Sequence, residues 1–192
     1  MKKQINLSKK KISRLIFTEK LNIGLSIKKT HVSQYSFVLL TRNNQYTILN
    51  PFFFKLSFRF FFKFIKGFFK KKGLILVFYN FNNNIFLREL INVSKNYITF
   101  LKVQNESDFQ KGRNIIQKKY YQNPVIISFF LSANQLIDLR KETKYLPLPF
   151  ISFTDQKSNF FLSDLQILGN FKNSSFQYIL VSVLILYFLK KK

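Results

Sequence analysis

Apolar and polar positions alternate along this chain in two distinct ways. "GLILVFYN" (Gly73–Asn80), "PVIISFFL" (Pro124–Leu131) and "LPFISFT" (Leu148–Thr154) are continuous apolar runs of strand length. That is the pattern of strands covered on both faces. "NNNIFLRELINVSK" (Asn82–Lys95) opens on helix-capping asparagine and sets Ile85, Leu87, Leu90, Ile91 and Val93 at mainly helical spacing. "SANQLIDLRKETKYL" (Ser132–Leu146) predicts a helix capped by Ser132, with Leu136, Ile137 and Leu139 inward. "SFVLL" (Ser36–Leu40) and "QYTIL" (Gln45–Leu49) predict short strands around the turn Arg42-Asn43-Asn44. "YITFL" (Tyr97–Leu101) predicts another strand, and Gln166–Leu168 a short edge strand. Residues 102–123 are polar and weakly periodic, which predicts a surface excursion.

The densest pattern is "NPFFFKLSFRFFFKFIKGFFKKKG" (Asn50–Gly73). On a helical wheel Lys55, Arg59, Lys63, Lys66 and Lys70 fall within a sector of roughly 80°, and large apolar residues fill the rest. Asn50 suits the N-cap, Pro51 the first helical position, and Gly73 the C-cap. Lys70, Lys71 and Lys72 suit the negative end of the helix dipole. So wide an apolar arc predicts a helix packed on several sides, with one narrow basic ridge outside. Strand, helix, strand, helix, strand then describes an α/β domain: a parallel sheet flanked by helices, Rossmann/flavodoxin-like, with right-handed crossovers. A last helix is predicted from about Ser174 to Leu189. Its core, "FQYILVSVLILYFL" (Phe176–Leu189), is shorter than the ~20 residues of a membrane span. It reads as a buried helix, the other reading being a short anchor flanked by lysines.

Composition sharpens the picture. The 192 residues fit one domain, 21–192, behind a basic arm at 1–20. There are 32 Lys+Arg against 8 Asp+Glu, for a net charge of +24, and Glu19 is the only acid before Glu89. Such self-repulsion destabilises a compact chain unless a polyanion offsets it. Nucleic-acid phosphate is the leading candidate and anionic lipid the second. The chain has no cysteine and one histidine (His31), which excludes disulfides and thiolate metal sites and leaves little acid–base chemistry. One alanine and five glycines against 26 Phe and many Lys, Asn and Ile reflect an AT-rich coding genome, as in organelles and reduced endosymbionts.

The chemistry of an α/β enzyme is missing. The loop after the first long strand is "NFNNN" and that after the second "LSANQ". Neither is a glycine-rich phosphate loop. Asp155 ends the third strand, where catalytic acids sit, yet an Asx turn or helix N-cap is the better account of it. No cofactor, metal or small-molecule substrate is expected, and no enzymatic activity.

In its landmarks the chain resembles the universal small-subunit ribosomal protein S-two family over about residues 20–189. The shared features are Arg42-Asn43, "YTILN" (Tyr46–Asn50), the Phe-rich helix, and Lys72-Gly73 stepping into the apolar strand. "NPVIISFF", "LPLPFISFTD" and "ILGN" (Ile167–Asn170) follow in the family's order. The family's His-Phe-Gly-His stretch is reduced to "LNIGLS" (Leu21–Ser26), retaining Gly24. Its Trp-Gly-Thr-Leu-Thr-Asn loop corresponds to "FQKGRNII" (Phe109–Ile116), and the bacterial helical-hairpin insertion is absent. The resemblance implies a divergent, organelle-encoded ribosomal protein, mitochondrial rather than plastid, in the matrix as part of the mitochondrial ribosome. It implies contacts with small-subunit ribosomal RNA and neighbouring ribosomal proteins in translation, without membrane insertion. The alternative is a small basic organelle membrane protein anchored by residues 176–189. The predicted RNA-binding residues are Lys9, Lys10, Lys11, Arg42, Lys55, Arg59, Lys63, Lys66, Lys70, Lys71 and Lys72, acting on phosphates. Aromatic side chains suit stacking on unpaired bases, although most of the phenylalanines belong to the core.

Overall fold

In the computed structural model the described residues are 30–40, 47–70, 73–80, 98–105, 107–119, 123–144 and 146–169. The helices predicted at 82–95 and 174–189, the arm at 1–20 and the turn Arg42-Asn43-Asn44 lie outside them. Seven strands and three α-helices are described. β1 (Val38–Leu40) and β2 (Thr47–Leu49) form a small antiparallel pair. α1 (Pro51–Lys70) leads to β3 (Ile75–Tyr79). β4 (Ile98–Lys102), α2 (Ser107–Lys118), β5 (Val125–Phe129), α3 (Ala133–Thr143), β6 (Phe150–Thr154) and β7 (Leu165–Leu168) follow. β3 to β7 make one all-parallel sheet in the order β4-β3-β5-β6-β7. This is an α/β fold with the flavodoxin-like strand order.

The two sheet faces are covered differently. α1 lies on one face, where Phe54, Phe58, Phe61 and Ile65 join Ile75, Val77, Ile127, Phe153 and Ile167 in one apolar cluster. α2 and α3 lie on the other, where Phe109, Ile116, Leu136 and Leu139 meet Leu76, Phe78, Ile126 and Phe150. Alternate residues of each strand therefore serve opposite layers, which is why the central strands read as unbroken apolar runs. Burying side chains of this size stabilises by about 1.5–3 kcal/mol each.

Among the described residues, the buried positions of α1 lie on one side rather than on several. Its buried positions 54, 58, 61 and 65 form a single stripe at i, i+4, i+7 and i+11. Phe52, Phe60 and Phe64 stay exposed. The sheet is a flat partner, so it covers only about one-third of a helix's circumference, however apolar the remainder. At its start Pro51 occupies the first position, and the Asn50 side chain accepts the Phe52 N–H at 3.0 Å. Gly73 is not a left-handed cap, since no described glycine has positive φ. Its N–H donates to the Phe68 carbonyl at 3.4 Å, and a Cβ there would stand 2.2 Å from the Phe68 ring. The position is glycine because that ring lies over it.

The segment expected as a surface excursion is instead ordered structure: the end of β4, then α2. Phe109, Gly112 and Ile116 are its buried positions, spaced three and four apart. Three inward residues in a strongly polar helix carry too little apolar signal to stand out. Nor does "FQKGRNII" form a loop. It is helical, and Gly112 lets α2 approach the sheet, since a Cβ would lie 2.3 Å from the Phe78 ring. In α3 the Ser132 capping box is present, while Leu136, Leu139 and Thr143 face inward. Ile137 does not; it is exposed, because one step of about 100° carries it off the buried stripe.

The β6–β7 crossover spans residues 155–164 with only a 3-10 turn (Phe160–Leu162) in place of a helix. Asp164 pins it to the start of β6: its carboxylate accepts the Phe150 N–H at 2.8 Å, and its own N–H donates to the Phe150 carbonyl at 2.9 Å. Gln156 joins the carboxyl end of β6 to the N-terminal segment. Its side-chain oxygen accepts the Thr47 hydroxyl at 2.9 Å, and its carbonyl accepts the His31 N–H at 2.9 Å.

Two helical glycines should respond oppositely to alanine. Gly67→Ala fills open space on α1 and is expected to stabilise by about 1 kcal/mol through helix propensity. Gly112→Ala drives a methyl into the fully buried Phe78 ring, and overpacking of about 1–3 kcal/mol should outweigh the same gain. Urea unfolding of the full chain checks both signs. A second expectation concerns Asp108, which accepts the N–H groups of Gln104 (2.9 Å) and Asn105 (3.2 Å) and pairs with Lys111. Hydrogen bonding from Lys111, then from those two backbone groups, lowers its pKa to about 2. A carboxyl depressed in the folded state stabilises at pH above its unfolded value of about 4, and loses that contribution as pH falls toward 2. Asp108→Asn should therefore be less stable than the parent at neutral pH, with the difference vanishing as pH falls toward 2 in a pH series of unfolding curves.

Candidate nucleic-acid interface

α1 carries its cations one turn apart. Lys55, Arg59, Lys63 and Lys66 are all exposed, on the side away from the stripe that meets the sheet. Their spacing follows from helix geometry: three- and four-residue steps advance about 4.5–6 Å along the axis and keep nearly one direction. The sheet fixes that direction. Phe61 and Phe58 stand edge-on to Phe153 of β6, with ring centroids 5.0 and 6.0 Å apart and interplanar angles of 87° and 71°. Rotating α1 to hide its lysines would pull both rings from the core.

The described ion pairs lie away from Lys55, Arg59 and Lys63. The described acids are Asp108, Asp138, Glu142, Asp155 and Asp164. Asp108 pairs with Lys111 at 2.8 Å, Asp138 with Lys141 at 3.2 Å, and Glu142 with Arg113 at 3.4 Å, all within the α2–α3 layer. Asp155 accepts the Lys157 N–H at 3.0 Å in an Asx turn, the plain reading of that residue, and Asp164 serves the β6–β7 crossover. Among the described residues Lys55, Arg59 and Lys63 make no ion pair. The described ion pairs thus lie in the α2–α3 layer, and Lys55, Arg59 and Lys63 on α1 take part in none of them.

The remaining predicted residues divide simply. Lys70 is the last residue of α1. Lys9, Lys10, Lys11, Arg42, Lys71 and Lys72 lie outside the described residues. Phe60 and Phe64 are exposed, although the apolar arc of the wheel suggests an interior place for them, and Phe52 is exposed within the cation sector. The stripe at 54, 58, 61 and 65 is the signal that could have found them, because a helix on a sheet buries one such stripe.

At the usual ligand edge of this fold, described side chains bond to one another. At the strand-order reversal between β3 and β5, Asn80 donates its side-chain N–H to Gln135 Oε1 at 3.1 Å. The same Gln135 oxygen accepts the Ser132 N–H at 3.0 Å, closing the α3 capping box. Donors that an anion would use at a helix N-terminus are partly taken up here. Phe130 follows β5 in a left-handed conformation (φ 60°), with its ring packed on Phe129 at 5.7 Å. Among the described residues no group of His, Asp or Glu side chains is placed to hold a metal ion, and no helix is long and apolar enough to cross a membrane.

Because Lys55, Arg59 and Lys63 take no part in the described ion pairs, replacing all three with glutamine should change stability by less than about 0.5 kcal/mol each. It should flatten the salt dependence of RNA binding by about 0.7–0.9 in log–log slope for each phosphate no longer neutralised. Fluorescence anisotropy across a salt series, beside urea unfolding, measures both. No protein-family model matches the chain, and no curated protein matches it.

Proposed function

We propose that this protein is a structural constituent of the small subunit of the mitochondrial ribosome, related to ribosomal protein S-two. It binds ribosomal RNA and neighbouring ribosomal proteins and catalyses nothing. The observation that carries the reading is the exposed basic face of α1, on which Lys55, Arg59 and Lys63 take no part in the described ion pairs, held outward by the Phe58/Phe61–Phe153 packing. A net charge of +24 on 192 residues calls for a polyanion held permanently rather than met in passing. RNA backbone supplies one, and phosphate contacts would fix the protein's position without reading sequence. The landmark order along the chain, from Arg42-Asn43 to "ILGN", adds the small subunit as the specific setting.

The flavodoxin-like strand order is compatible with this role, though such scaffolds host many activities and the fold alone assigns none. What supports the reading is the row of exposed cations one turn apart on α1.

Mitochondrial lysate resolved on a sucrose gradient at high magnesium tests the reading. The protein should co-sediment with the small subunit in about one copy, and ribonuclease should release it. Recovery in carbonate-resistant membranes, with none on the small subunit, would favour a membrane protein instead.

A further inference from the structure

The outer face of α1 is more than a row of charges. Phe52 is 67% exposed, Phe60 54% and Phe64 37%, on the same helix as the exposed Lys55, Arg59, Lys63 and Lys66. On the wheel Phe52 lies inside the cation sector. Phe60 and Phe64 flank it, at roughly 60° and 100° beyond Lys63. Phe60 is three residues before Lys63 and four before Phe64, so these side chains are surface neighbours. The Phe64 ring lies nearly parallel to Phe68, with centroids 5.9 Å apart and 20° between planes, a stack open to extension at its outer end. Gly67 adds no side chain beside it, and its Cβ position faces open space.

We infer that this face of α1 binds unpaired nucleotides, its cations holding the phosphates while Phe52, Phe60 and Phe64 stack on bases. The inference rests on the RNA-binding reading of α1 and narrows it from phosphate in general to single-stranded or bulged RNA. Exposed rings give a duplex little, because its bases are already stacked and its backbone offers only charge. A loop or bulge offers both charge and free π-faces. Alternating cations and aromatics is how sequence-tolerant single-strand sites are built. The mixed order also argues against a bilayer. A helix lying in a membrane interface separates its apolar and charged faces, and here the apolar stripe is spent on the sheet while Phe52 sits among the lysines.

The test uses the full chain and three probes: a labelled single-stranded uridine oligonucleotide of about a dozen nucleotides, an RNA hairpin duplex of similar length, and vesicles containing anionic lipid. The variant is Phe52→Ala/Phe60→Ala/Phe64→Ala, whose rings lie outside the buried stripe, with urea unfolding as its folding control. Single-strand affinity should fall by about tenfold or more at fixed salt. Duplex affinity and the salt slope should stay as in the parent. Equal weakening on both RNAs, or no weakening on either, overturns the inference and leaves RNA binding by α1 standing. Failure of the parent chain to bind either RNA overturns both readings. Unchanged RNA affinity with abolished vesicle binding assigns the rings to lipid. Unchanged RNA affinity with abolished small-subunit association assigns them to a protein neighbour. Either of these outcomes also overturns the inference.

Discussion

Everything distinctive about this surface depends on how α1 is fastened to the sheet. Phe153 of β6 takes Phe61 and Phe58 edge-on and lies 4.8 Å from Phe129 of β5, so three elements converge on one ring. Edge-to-face pairs contribute about 0.5–1.5 kcal/mol each beyond the area they bury. More important here is the direction they impose. With the stripe at 54, 58, 61 and 65 committed inward, the cations have only solvent or a partner to face. The helix can be rich in phenylalanine and still display charge, because a sheet covers only one side of it.

The charge then divides by layer. Acids of the α2–α3 layer sit within reach of its cations, and the pairs hold local geometry more than they stabilise, as exposed ion pairs generally do. α1 has no acid at all. Repulsion along its exposed side is a standing cost in the free protein, and contact with a polyanion removes it. The chain's own hydrogen bonds meanwhile take up some of the polar groups at the strand-end edge where this fold often holds a ligand. Asn80, Gln135 and Ser132 bond to one another, and Gln156 ties the N-terminal segment to the end of β6. Fold and surface thus point in different directions: a scaffold shared with many enzymes, turned outward on a helix face rather than on the strand-end edge.

Much of the framework is legible because it depends on local patterns. The runs at Gly73–Asn80, Pro124–Leu131 and Leu148–Thr154 form β3, β5 and β6, and the Asn50-Pro51 start of α1 follows from capping chemistry. Gln166–Leu168 forms most of the edge strand β7. What is not legible depends on partners distant in sequence. α2 is visible only once Phe78 and the sheet are there to receive Phe109, Gly112 and Ile116. Ile137 looks buried beside Leu136 until the orientation of α3 is known. The exposed phenylalanines of α1 escape sequence reasoning on the same ground: hydrophobicity indicates what a side chain gains by burial, and only the shape of the opposing layer decides whether burial is offered. The basic ridge itself is legible from spacing, since no choice of neighbour could bury so many cations at one-turn intervals without acids to match.

Lysine acetylation footprinting by mass spectrometry, on the free protein and on the protein within intact small subunits, tests the central claim most directly. The expected result is that Lys55 and Lys63 react readily in the free chain, become protected in the subunit, and regain reactivity after ribonuclease. Equal reactivity of these two lysines in the subunit and in the free chain would contradict the account, because the exposed face of α1 would then be facing water and not RNA.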